Sequence, residues 1–277
     1  MDEIIIYEVG PRDGLQNLDH IVPTEDKIKF INLLRRSGLS HIEVASFAHP
    51  KRVPQMADAE EVFDGQGSVL GMNQRGMDRA VESGATYFNI VYSPSEQFNY
   101  RNLGCGLKDA VGRYIKMLEG VPKANVRVYI SCYFGCPYEG KISDANLEKA
   151  VKFATLFGDT VVLSDTIGVA VPDDIVKAVD LVERYGLKPA LHLHVKLDNL
   201  RGGLELVNTG YNAGIREFDS SMGGLGGCFL IEDSPGNLPT EALIAWAHEK
   251  DVDCGVDFLN IKEALHMALS LKQPLVL

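Results

Sequence analysis

The sequence predicts an α/β chain closed into a (β/α)8 barrel of the TIM type, with an additional C-terminal helix. Three observations predict it. Eight short apolar runs rich in β-branched and aromatic residues recur along the 277 residues. Stretches with helical spacing of apolar residues lie between them. No Asn-Gly hairpin signal joins neighbouring runs, so the strands are expected to be parallel. A doubly wound open sheet is the architectural rival, but eight units in this length suit a closed barrel.

The predicted strands lie near 3–9, 40–46, 67–72, 86–92, 125–132, 160–164, 189–194 and 215–220. The first begins almost at once, because Ile4-Ile5-Ile6 follows an acidic pair. A helix is expected after it, with Ile28, Ile31, Leu33 and Leu34 on its apolar face and Thr24 as its N-cap. Ser143 is the expected cap of a later helix, and Pro172-Asp173 opens the one carrying Ile175, Ala178, Val179 and Val182. Past Gly255, the residues Phe258, Leu259, Ile261, Ala264, Leu265 and Leu269 predict one further amphipathic helix. No linker or low-complexity segment divides the chain, so residues 1–277 are expected to form a single catalytic domain.

Composition narrows the function. The hydrophobic share is 45% and the charged share 23%, an ordinary globular balance. Twenty-seven basic against 38 acidic residues give a net charge of −11, a poor match to nucleic acid or anionic membrane, and neither is an expected partner. No apolar run is long enough for a membrane span, and the acidic start does not suit a secretory or transit peptide. Five scattered cysteines without a CxxC pair argue against a disulfide framework or structural zinc, and point to a reducing cytoplasm.

In a parallel barrel, the carboxyl ends of the strands carry the chemistry. Here they carry Arg12-Asp13, Asn73, Ser93 to Glu96, Ser131-Cys132, Asp165-Thr166, His192-Leu193-His194 and Asp219-Ser220. His192 and His194 are two apart on a strand, so both imidazoles face one side. One divalent cation would satisfy both, with a carboxylate from Asp13 and an amide oxygen from Asn237. Two imidazoles and two oxygens favour Mg²⁺ or Mn²⁺ over thiolate-seeking zinc. Glu43 interrupts an apolar strand and needs a partner, for which Arg12 is the candidate. Cys228 follows the glycine-rich run 223–227, which would carry its thiol over the barrel mouth. Cys132 and Cys136 are expected to pack as small apolar groups. Asp165 suits either a cap or a site role, and His20, His41, His49, His248 and His266 are expected to be structural or on the surface.

These segments together resemble the 3-hydroxy-3-methylglutaryl-CoA lyase family of metal-dependent Claisen-type barrels. The resemblance rests on EVGPRDGLQN at 8–17, PKRVPQM at 50–56, SCYFGCPYEGKIS at 131–143, SDTIGV at 164–169, HLH at 192–194 and GGLGGC with SPGN at 223–237. It implies carbon–carbon cleavage of a CoA thioester with a bound divalent cation. It also implies metal ligation by Asp13, His192, His194 and Asn237, catalysis by Arg12, Asp13, Glu43 and Cys228, and substrate contacts from Arg12, Gln16, Asp165 and Thr166. The expected substrate is 3-hydroxy-3-methylglutaryl-CoA. The rivals are another 3-hydroxyacyl-CoA such as citramalyl-CoA, a condensing reaction, or a barrel that only binds an acyl-CoA or organic acid. The sequence leaves homo-oligomer formation open. Departures from the family pattern are Leu18 for Glu, Arg52 for Trp, Val195 for Asp, and Phe229 to Asp233 for Pro and small residues. By strand parity, position 195 should point away from the barrel axis.

Overall fold

The computed structural model describes residues 2–227 and 234–273. Eight parallel strands run β1 (Ile5–Glu8), β2 (His41–Ser46), β3 (Ser68–Leu70), β4 (Tyr87–Tyr92), β5 (Val126–Ile130), β6 (Thr160–Asp165), β7 (Lys188–Val195) and β8 (Glu217–Ser220). Each pairs with the next, β8 pairs with β1, and the barrel closes. A two-residue strand, β9 (Gly236–Asn237), lies antiparallel on β7 and sets Asn237 opposite His194.

The helices are α1 (Thr24–Arg36), α2 (Ala59–Val62), α3 (Gln74–Glu82), α4 (Glu96–Leu103), α5 (Leu107–Met117), α6 (Asp144–Ala154), α7 (Pro172–Arg184), α8 (Leu200–Asn212), α9 (Thr240–Glu249) and α10 (Lys262–Leu271). The main apolar core fills the layer between strands and helices, with Phe30, Leu34, Val128, Leu163, Val179 and Phe218 among its members. The barrel lumen is different. It holds a small apolar layer of Tyr129, Val162 and Ala190, and otherwise buried polar side chains.

Local chemistry explains several helix starts. Ser143 caps α6 by accepting from Asn146 N, and Pro172 opens α7. Asn73 and Ser95 likewise cap α3 and α4, so part of the polar character at those strand exits is capping. Thr24 is not the cap of α1. It is the first helical residue after Pro23, and its hydroxyl donates to Asp58 Oδ2 instead. The C-terminal segment also differs from one continuous helix. A tight turn over Phe258–Ile261 precedes α10, and Phe258 and Leu259 are exposed because only Ile261 of that turn faces the core. No helix among the described residues is long and apolar enough to cross a membrane.

Glu8, at the end of β1, fastens the loops above the barrel. It accepts from Gly10 N at 2.8 Å and Met222 N at 3.0 Å through Oε1, and from Thr240 Oγ1 at 2.6 Å through Oε2. Burial outweighs these donors and raises its pKa to about 7. Between about pH 4.5 and 7 the folded chain therefore keeps a proton that the unfolded chain has released, and stability falls as pH rises through that window. Glu8→Gln keeps the shape and can donate to Thr240. It should flatten that decline, which is worth at most about 3 kcal/mol, and urea melts across the window measure it.

Candidate metal centre and active site

The turn after β1, Gly10–Gly14, is a wide helical turn opened by Pro11, and it puts Arg12 and Asp13 over the lumen. Arg12 Nε and Nη2 both lie 2.5 Å from Glu43 Oε2, and Nη1 donates to Asp13 Oδ1 at 2.6 Å. Of the five guanidinium N–H groups, these contacts use three, which leaves one each on Nη1 and Nη2 for a ligand. Glu43 is fully buried, and its other oxygen accepts from Asn89 Nδ2 at 2.7 Å. Desolvation raises the Glu43 pKa, and Arg12 opposes it. The expected Arg12–Glu43 pairing is therefore present. Glu43 is not among the residues that line the cavity; Arg12, which it holds, is.

Asp13, His192 and His194 converge, with ligand atoms all within 4.8 Å of one another. Burial opposes ionisation of Asp13, but Arg12 and the two imidazoles overcome it and hold its pKa below the usual value. Burial, and then His192, depress the His194 pKa to about 4. Burial also works against a charged His192, yet the Asp219 carboxylate raises its pKa overall.

The hydrogen-bond pattern tests whether a cation fits. His194 Nδ1 lies 3.0 Å from Thr166 O, which can only accept, so that nitrogen carries the hydrogen. His192 Nδ1 faces Asp219 Oδ2 at 3.2 Å and carries one for the same reason. In neutral rings both Nε2 atoms then present bare lone pairs, and they stand 3.1 Å apart. Two lone pairs at that distance repel unless a cation or proton lies between them. Asn237 is the candidate for a fourth donor. Its Nδ2 donates to Asp13 Oδ2 and Leu225 O, both at 2.9 Å, while its buried Oδ1 has no partner among the described residues. Two imidazoles, a carboxylate and an orphaned amide oxygen fit a divalent cation. Gly226 permits this approach. Its φ is +117°, and a Cβ there would fall 2.2 Å from Asn237 Nδ2.

The cluster lines a cavity of about 320 Å³. Gln16, Ser131, Ser164 and Thr166 add polar groups near it, Leu70, Met72, Val91 and Phe98 are apolar, and His49, Arg52, Asn102 and Arg113 also line it. Arg52 Nη2 donates to Asn102 O and Arg113 Nη1 to Leu103 O, each at 3.2 Å, so two guanidiniums gather at the C-terminal end of α4.

Among the expected site residues, Arg12, Asp13, Gln16, Thr166, His192 and His194 line this cavity. Asp165 does not. Both its oxygens accept backbone N–H groups, from Val169 and Ala170 at 2.9 Å, and it lines a neighbouring cleft. Cys228 lies outside the described residues. His49 is exposed, as expected for a surface residue, and also lines the cavity. Cys136 is buried but not merely apolar. Its thiol lies 3.1 Å from Ser95 Oγ, and hydrogen bonding, first from Cys132, lowers its pKa to about 5. Val195 points out of the lumen as its parity requires and packs where a Cβ on Gly203 would meet it at 2.7 Å. Sequence reasoning placed Asp219 at a strand exit without giving it a role, and it missed Arg127. The signal was available, since Arg127 interrupts an apolar strand just as Glu43 does.

Comparison with known proteins agrees with this geometry. The HMGL-like family model matches residues 3–267. The chain is 38% identical to the cytoplasmic 3-hydroxy-3-methylglutaryl-CoA lyase of Rattus norvegicus, covering 94% of this chain and 78% of that one. It is 39% identical to the mitochondrial hydroxymethylglutaryl-CoA lyase of Macaca fascicularis, covering 95% and 83%. The HMG-CoA lyase structure from Brucella melitensis superposes with a TM-score of 0.90 at 32% identity, covering 99% of this chain and 100% of that one. An HMG-CoA lyase from A. baumannii, solved with coenzyme A and 3-methylmalate, also reaches 0.90, at 33% identity over 98% and 92%. A buried Asp-His-His cluster beside an Arg–Glu pair, on a barrel matched from end to end, places this chain in the HMGL-like family.

Proposed function

We propose that residues 1–277 form one catalytic barrel that cleaves 3-hydroxy-3-methylglutaryl-CoA to acetyl-CoA and acetoacetate, with Mg²⁺ or Mn²⁺ as cofactor. The observation that carries the reading is the facing Nε2 pair of His192 and His194 with Asp13 beside them, in the cavity that Arg12 also lines. A cytoplasmic location belongs to the same reading, supported by the relatives named for that compartment.

Asp13, His192, His194 and Asn237 would hold the cation. When bound, it supplies a Lewis acid that lowers the pKa of the substrate's tertiary hydroxyl. Asp13 or His192 is the candidate base by position, but both ring nitrogens of His192 are engaged, so the hydroxyl proton is assigned to the Asp13 carboxylate. As the carbon–carbon bond breaks, its electron pair moves onto the acetyl-CoA fragment as an enolate, and the former hydroxyl carbon becomes the ketone of acetoacetate. The two N–H groups left on Arg12 can receive the negative charge on the thioester oxygen. Glu43 and Asp13 hold that guanidinium in place. Cys228 is assigned the proton that completes acetyl-CoA. Gln16 and Thr166 supply polar contacts to the acyl group, while Arg52 and Arg113 offer donors to an anionic part of the CoA thioester. Asp165 shapes the wall of the site through the backbone it holds.

Acetyl-CoA release from a panel of 3-hydroxyacyl-CoAs tests the reading. Turnover should be highest on the 3-hydroxy-3-methylglutaryl thioester; preference for citramalyl-CoA, or turnover of none, would reject it. Chelation should abolish turnover and Mg²⁺ or Mn²⁺ restore it, while His194→Ala should lose the stoichiometric metal that elemental analysis finds in the wild type. Arg12→Lys should lower kcat by about 10² to 10³, the loss typical of removing an oriented donor from developing charge. Cys228→Ser should lower kcat by about a hundredfold if the thiol is the proton donor.

A further inference from the structure

We infer that Arg127 and Asp219 are positioning residues for the metal centre: they fix the ring orientation and tautomer of His192, and through it the grip on the cation. This rests on the reading of Asp13, His192 and His194 as that centre.

The two histidines are oriented by different means. His194 Nδ1 donates to the main-chain oxygen of Thr166, whose position the backbone sets. His192 Nδ1 donates to a side chain, Asp219 Oδ2 at 3.2 Å, from its register partner on the adjacent strand β8. That carboxylate is fully buried and must itself be held. Arg127, from β5 across the lumen, donates through Nη2 to Asp219 Oδ1 at 3.0 Å. Its guanidinium in turn lies 3.6 Å from the centroid of the Tyr7 ring and 5.6 Å from that of Tyr129, and Glu217 approaches it at 3.4 Å. The chain of contacts therefore runs from Arg127 to Asp219 to His192, and ends on the nitrogen that faces His194.

Chemistry gives this chain a direction. A carboxylate accepts and does not donate, so an ionised Asp219 keeps the hydrogen of His192 on Nδ1 and the lone pair on Nε2. Without Arg127, an ionised Asp219 would be left buried in the lumen with only the His192 N–H and the Tyr129 hydroxyl to offset its charge. It would turn away from His192, and the imidazole could then carry its hydrogen on Nε2. That tautomer presents a hydrogen to the cation where a lone pair is required. The competing view is that Arg127 merely ties β5 to β8. The two views differ in metal affinity, because a simple strand tie would leave the triad's grip unchanged once the protein is folded.

The test uses the full chain stripped of metal and titrated with Mn²⁺, with free Mn²⁺ followed by electron paramagnetic resonance. Asp219→Asn and Arg127→Met should each raise the Mn²⁺ Kd by about 10- to 100-fold. Arg127→Lys should recover part of that loss. Acetyl-CoA release by the variants should rise toward the wild-type rate as Mn²⁺ is increased. A Kd within twofold of wild type in both Asp219→Asn and Arg127→Met would overturn the inference, as would lost activity that saturating Mn²⁺ fails to restore. Should these variants not fold, heteronuclear NMR of the metal-free wild type at alkaline pH decides. A hydrogen on Nδ1 of His192 supports the inference, and one on Nε2 refutes it. Wild-type protein that binds no Mn²⁺ at all would instead remove the metal centre on which the inference rests.

Discussion

The constraint that governs this molecule is the burial of charge in the barrel lumen. Asp13, Glu43 and Asp219 are buried there with Arg12 and Arg127, and the two histidines sit among them. An isolated ionised group in such surroundings is costly, and a pair repays the cost only when its hydrogen bonds are nearly complete. Most contacts meet that condition: Arg12 bridges Glu43 and Asp13, and Arg127 bridges Asp219 and Glu217, although the Arg127 Nε is left without a partner among the described residues. Even so, these three buried carboxylates outnumber the two guanidiniums. A divalent cation at the triad answers that imbalance, so the electrostatics of the lumen and the donor set point the same way.

The apolar layers serve this arrangement. Helices packed outside the strands leave the lumen free of the need to supply most of the hydrophobic stabilisation, which comes from the strand–helix interface. Parallel strands in fixed register then place side chains from different segments at matching heights. His192 lies opposite Asp219 and Ser164, and Asp219 opposite Tyr7. The loops add what strands cannot. A turn opened by Pro11 carries Arg12 and Asp13, and a glycine with positive φ admits Asn237.

Much of this was legible in the sequence, because the signals were periodic or costly. Strand alternation made His192 and His194 share a face and turned Val195 away, and the expense of burying Glu43 identified Arg12 as its partner. What was not legible depended on contacts between remote segments. Thr24 resembles a cap, but its hydroxyl is claimed by Asp58 on another element. Asp165 sits in a motif with site character, yet its carboxylate is consumed by the backbone that follows it. Strand β9 has only two residues, too short for any pattern, although it delivers Asn237. Phe258 and Leu259 have the spacing of a buried helix face but fall on a tight turn that exposes them.

The contact between Asn237 and Asp13 joins residues 224 positions apart. The donor set therefore draws on both the first strand and the segment beyond the eighth, and it exists only after the sheet has closed on itself. On a ribosome, where the chain emerges from its N-terminus, Asp13 is exposed to solvent long before its amide partner is made. Partly synthesised or circularly opened barrels have the imidazoles and the carboxylate without the geometry that unites them. The four candidate donors thus meet only once β7, β8 and β9 stand beside β1, so the proposed site is a property of the closed barrel and of no single segment of it.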